Sequence, residues 1–124
     1  MSRTLGQLRA AYCLKKLESL NCDREEFKAL SAGLPAMIIQ NGFGQVLAFL
    51  KAKEKDNKKD KHLAAFQIIV GWLFERQLLQ ADQPAGLLVQ ISRMDQAQYL
   101  HAQKETLAML EWLKRYANAA LFEG

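Results

Sequence analysis

Ala29-Leu-Ser-Ala-Gly-Leu-Pro-Ala-Met-Ile-Ile-Gln-Asn-Gly-Phe-Gly-Gln-Val-Leu-Ala-Phe-Leu50 runs for 22 residues without a formal charge. That is about the length of a membrane-spanning helix. Its content argues otherwise, because Ser31, Gly33, Pro35, Gln40, Asn41, Gly42, Gly44 and Gln45 would be costly or disruptive in lipid. The stretch reads instead as core helices joined at a glycine break, in a soluble, cytoplasmic protein with no membrane partner. Pro35 suits the first turn of a short helix, Pro35 to Gln40, where its missing N–H costs nothing. Asn41-Gly42 ends that helix, since both residues tolerate a positive φ. Another helix then runs from about Phe43 to Lys53.

The rest of the chain has the same helical composition. Half of its 124 residues are apolar, mostly Leu (20) and Ala (17), against three Val, five Ile and two Thr. Straight-chain residues and Ala favour helices, whereas β-branched residues favour sheets. An all-β fold is excluded, and one all-α domain over residues 1–124, a compact bundle of about five to six helices, is expected. The first helix runs from Ser2, as N-cap, to about Leu20, with Ala10, Cys13, Leu14 and Leu17 inward and Arg9 and Lys16 on the opposite face. Asp23 to Glu26 has capping-box spacing for the second. Later helices are expected at about Lys61 to Leu79 and from a Ser92 or Asp95 cap to Leu121, with a short irregular or helical piece from Pro84 to Ile91 between them. The last should bury Ala97, Leu100, Leu107, Leu110, Leu113, Ala117 and Leu121. Phe49, Phe66, Trp72, Phe74 and Trp112 lie among apolar neighbours, and the core is the expected place for them.

Catalytic chemistry finds no foothold. His62 and His101 are isolated, and neither has metal-ligand spacing. Cys13 and Cys22 are nine apart with no C-x-x-C, so idle thiols in a reducing compartment are expected rather than a zinc site or a disulfide. Gly42-Phe-Gly44 follows a helix rather than a strand and lacks the third glycine of a dinucleotide fingerprint. The expectation is a protein that is not an enzyme and has no cofactor or metal.

Charge gives the other signal. The formal net charge is +4. Six cations face three acids in Lys51 to His62, whereas residues 63–124 hold five cations against six acids. The Lys-rich part of that stretch, about 54–61, lacks apolar periodicity and reads as a solvated loop. Arg9, Lys51, Lys53, Lys104, Lys114 and Arg115 have neighbours that place them on helices, where cations neutralise phosphates without reading sequence.

Four stretches add a likeness. They are Arg9-Ala-Ala-Tyr12, Leu34 to Lys53 with its Pro-x-Met-Ile-x-x-Asn-Gly and Ala-Phe-Leu-x-x-Lys, Trp72-Leu73, and Lys104 to Ala117 with its closing Trp-Leu-Lys-Arg-Tyr-Ala. In order along the chain, they resemble the small helical subunit of the type III-B CRISPR effector, the Cmr RNA-targeting complex. Phe43 stands where that family usually has Leu, and Tyr116 where Phe is common. The resemblance implies a non-catalytic subunit of antiviral defence. Several copies would stack as a minor filament beside larger subunits, along the channel where guide and target RNA pair. It also implies that Arg9, Lys53, Lys104, Lys114 and Arg115 contact RNA phosphates; Lys51, Lys15 and Lys16 are added from charge alone. A free-standing helical regulator that binds DNA or protein is the alternative, although no helix pair shows a basic, polar recognition helix.

Overall fold

The structure, a computed structural model, describes residues 2–54, 60–80 and 84–119, with the backbone alone for 84 and 85. Among the described residues there are six helices and no strand: α1 Leu5–Glu18, α2 Arg24–Asn41, α3 Phe43–Lys53, α4 Lys61–Glu75, α5 Pro84–Ser92 and α6 Gln96–Asn118. The expected all-α bundle is the observed one. None of these helices is long and apolar enough to cross a membrane.

Short polar side chains set most helix starts. Asp23 Oδ1 accepts from the Glu26 N–H at 2.9 Å, and Asp95 Oδ1 from the Gln98 N–H at 2.8 Å. Each satisfies an amide that has no partner inside the helix. α1 starts later than Ser2 because Thr4 forms the reciprocal capping box with Gln7, at 3.1 and 2.8 Å. α4 ends at Glu75 rather than Leu79, since Gln77 turns to φ 60° and the Leu78 N–H folds back to the Leu73 carbonyl at 2.8 Å. Of the Lys-rich loop expected at 54–61, Glu54 closes α3 and Lys61 already opens α4. Residues 55–59 lie outside the described set, as does the expected end of the last helix at Leu121.

Two expectations are corrected by packing. Pro35 does not start a separate helix; it sits inside the 18-residue α2. An interior proline costs about 3 kcal/mol. Leu34, Pro35 and Ile38 are all buried there, and fully burying a large apolar side chain stabilises by about 1.5–3 kcal/mol. Tertiary burial therefore overrides the local break. On α6 the buried face is Ala102, Glu105, Thr106, Met109, Leu110, Leu113 and Ala117. Ala97 is exposed and Leu100 is 51% exposed, because Tyr99 turns inward instead and sets its ring 4.6 Å from that of Phe43. Among the aromatics, Phe66 and Trp72 are core, Trp112 is half-buried and Phe49 is exposed.

The hydrogen bonds give the helix directions. Arg9 meets Glu105 and Cys13 meets the Met109 carbonyl, both with an offset of 96, so α1 and α6 run parallel. α4 runs against α1, with Tyr12 beside Ile68 and Leu20 beside Ala64. Gly42 joins α2 to α3 at φ 86°, a backbone state that a side chain would strain. Tyr12 and Trp72 bridge α1 and α4 with ring centres 5.0 Å apart. Gly71 admits the phenol, since a Cβ there would lie 2.7 Å from Tyr12 Oη.

Candidate nucleic-acid interface

The six basic positions singled out by sequence fall into different surroundings. Arg9 does not face away from the core. From α1 its Nε donates to Glu105 Oε1 at 2.7 Å and its Nη2 to Oε2 at 2.8 Å. Trp72 Nε1, from α4, donates to the same Oε1 at 3.0 Å. Glu105 is only 6% exposed. The Arg9 hydrogen bonds hold its carboxyl below the usual carboxylate range against the opposing effect of burial, with Trp72 assisting. In turn, the bond to Glu105 raises the Arg9 pKa. The fork that would grip a phosphate is thus occupied by a carboxylate that joins three helices.

Lys51 pairs with Glu54 three residues on and lies half-buried, its Nζ 6.0 Å from the Phe66 ring centre. Lys53 is exposed in the last turn of α3, its Nζ 5.9 Å from the Phe49 ring centre. On α6, Lys114 Nζ stands 3.6 Å from Glu111 Oε2. Lys104 and Arg115 are exposed, and neither forms an ion pair among the described residues. Eleven positions separate them, which is close to three full turns and places them on one face about 16 Å apart. Lys114, Lys104 and Arg115 therefore share one rigid element, while Lys51 and Lys53 stand on another.

Part of the basic pattern has a purely helical cause. Lys15 and Lys16, Lys51 and Lys53, and Arg115 occupy the last turns of α1, α3 and α6, where cations offset the negative end of the dipole. Lys104 lies mid-helix, so that explanation does not reach it. Sequence reasoning passed over Arg3 and Arg76, which line a hollow between α1 and α4. Their only signal was charge, and neither belongs to a stretch with a recognisable pattern.

The remaining candidate groups are two histidines and two cysteines. No group of three metal-ligating side chains exists among the described residues. His101 is exposed, and His62 Nδ1 lies 3.3 Å from Asp60 Oδ1. Both cysteines are free and buried; burial pushes the Cys13 thiol up to about 12 and raises that of Cys22 as well.

Comparison with known proteins places this geometry. The family model described as CRISPR-associated protein (Cas_Cmr5) matches residues 5–120. A CRISPR system Cmr subunit Cmr5 from Thermus thermophilus is 33% identical over 100 residues, 81% of this chain and 79% of that protein. One from Thermotoga maritima is 32% identical over 120 residues, 96% of this chain and 86% of its own length. The crystal structure of a CRISPR-associated Cmr5 family protein from Thermus thermophilus superposes with a TM-score of 0.75 at 27% identity, covering 95% of this chain and 97% of that one. A match over residues 5–120, together with relatives above 30% identity, shows that the chain belongs to the Cmr5 family of CRISPR-associated proteins.

Proposed function

We propose that the chain is a non-catalytic small subunit of a cytoplasmic type III-B RNA-targeting effector in antiviral defence. It stacks with copies of itself as a minor filament beside the larger Cmr subunits. Lys53, Lys104, Lys114 and Arg115 neutralise backbone phosphates of the paired guide and target RNA. Lys51 contributes through its half-shared charge, and Arg9 acts indirectly by fixing α6, which carries three of the contacts. The observation that carries this reading is Lys104 and Arg115, exposed and without an ion pair among the described residues, on one face of a rigid helix. Two such cations about 16 Å apart suit a polyanion better than a small ligand.

Reversal of charge tests it. Lys104→Glu with Arg115→Glu in the assembled complex should weaken capture of two unrelated targets alike. The slope of log affinity against log salt should fall by somewhat under one unit per lost contact. Lys58→Glu with Lys59→Glu should do much less. Equal losses from both pairs would mean that bulk charge alone matters. Dissociation of the subunit from the complex would place α6 at a protein interface and overturn the RNA assignment.

A further inference from the structure

α1 and α4 enclose a hollow of about 400 Å3 whose rim carries Arg3, Lys15, Glu75 and Arg76 and whose floor includes Tyr12 and Trp72. Three cations stand there against one carboxylate, and among the described residues none of Arg3, Lys15 or Arg76 is in an ion pair. Arg3 precedes the Thr4 cap, at the positive end of a helix whose first turn holds no acid. A cation there opposes the helix dipole, so helix stability gives no reason for it. Arg76 lies with its guanidinium 5.9 Å from the Trp72 ring centre, which restrains an otherwise flexible side chain. The floor is rigid as well. Trp72 is tied to Glu105 at 3.0 Å, and Tyr12 Oη donates to the Ile68 carbonyl at 2.6 Å.

Lys15 lies eleven positions after the Thr4 cap, on the order of 16 Å along α1, and Arg3 stands just beyond that cap. Cations rooted towards opposite ends of α1 and lining one hollow favour a ligand that presents several negative charges in series over a single phosphate. Tyr12 and Trp72 are 8% and 3% exposed and offer no face for a base to stack on. Contacts are therefore confined to the backbone, with bases turned outward. A duplex is too wide to enter a groove between two packed helices, whereas one strand fits. We propose that this furrow holds the sugar–phosphate backbone of a single-stranded RNA segment, apart from the α6 contacts. It deepens, and rests on, the reading that the chain works on RNA. Because only phosphates are gripped, a DNA strand of equal length binds the isolated chain comparably.

The test uses the full chain and a labelled oligouridylate across a salt series. Arg3→Gln with Lys15→Gln and Arg76→Gln should weaken binding at least about tenfold at low salt. The log–log salt slope should fall by about two units, from roughly 0.7 per phosphate on a single strand. Should the triple variant fail to fold, Arg3→Gln with Lys15→Gln should still lower the slope by about one unit. ATP matched for total phosphate should not displace the strand. Displacement would make the hollow a free-nucleotide site and overturn the proposal. An unchanged triple variant, beside a loss from Lys104→Gln with Arg115→Gln, would refute the furrow and leave the RNA reading standing. No binding by the wild-type chain, or no effect of either set, would remove both.

Discussion

Removing Arg9 should cost stability rather than RNA affinity, and the size of the loss can be worked from its geometry. Arg9→Met keeps most of the apolar stem but leaves Glu105, 6% exposed, with Trp72 as its remaining partner. Breaking a buried ion pair from one side costs about 3–5 kcal/mol. The Arg9 side chain is 20% exposed, so water reaches that edge and the lower end applies, about 3 kcal/mol. Glu105→Gln keeps one carbonyl oxygen to accept from Trp72 and Arg9 while losing the charge, at about 2 kcal/mol. Once the partner is neutral there is little left for Arg9 to lose. The double variant should therefore cost about 3 kcal/mol rather than 5, a coupling of about 2 kcal/mol. For 124 residues the unfolding entropy is about 0.26 kcal/mol/K, so Arg9→Met should lower Tm by about 11 °C. Urea unfolding of all four proteins at neutral pH, followed by far-UV circular dichroism, closes the cycle. Costs that add to within about 0.5 kcal/mol would show that the two side chains do not act as a unit, and the argument would fail.

The same carboxyl sets a pH dependence. Because its folded pKa is depressed, Glu105 adds stability at every pH above the ordinary glutamate value of about 4.3, and that contribution drains as pH falls through the lower folded value. Glu105→Gln should thus flatten the stability curve on the acid side while leaving its shape near neutrality unchanged, as read by denaturant midpoints across an acid pH series. Two glycines should respond with opposite signs. Gly33→Ala, exposed within α2 with open space around the new methyl, should stabilise by about 0.5–1 kcal/mol. Gly42→Ala meets both a positive φ and Tyr99 Oη at 2.6 Å and should destabilise by at least about 2 kcal/mol. Thermal melts of the two variants decide this, and a shared sign would contradict the local geometry.

Local signals were legible where local chemistry decides. Asp23 caps as its spacing promised, Asp95 rather than Ser92 caps the last helix, and α3 spans the expected Phe43 to Lys53. Pro35 misled because a one-dimensional reading sees the missing N–H but not the burial of Leu34 and Ile38 beside it. The face of α6 was misplaced for a related reason. Apolar periodicity ranks Leu100 above Glu105, whereas the fold supplies Glu105 with Arg9 and Trp72 from two distant helices. Arg9 stood out by its charge, and nothing near it in sequence announces a partner 96 positions away.

The start of α3 depends on a part of the chain made much later. Its Gly42 cap has no side chain, so the Phe43 and Gly44 N–H groups donate to Gln103 Oε1 at 3.0 Å and Tyr99 Oη at 3.1 Å, both from α6. Those partners are translated 60 and 55 residues after the amides they serve, and Glu105 follows Arg9 by 96. At about 5–20 residues per second, α1 waits roughly 5–20 s for its counter-charge. During that interval α1 and α2, whose Leu17, Phe27 and Leu34 are fully buried in the finished fold, have no α6 to pack against. A ribosome stalled before α6 therefore displays helices that can pack on one another but whose α6-facing side is uncovered, and such a nascent chain should be more readily cleaved by protease than the finished fold.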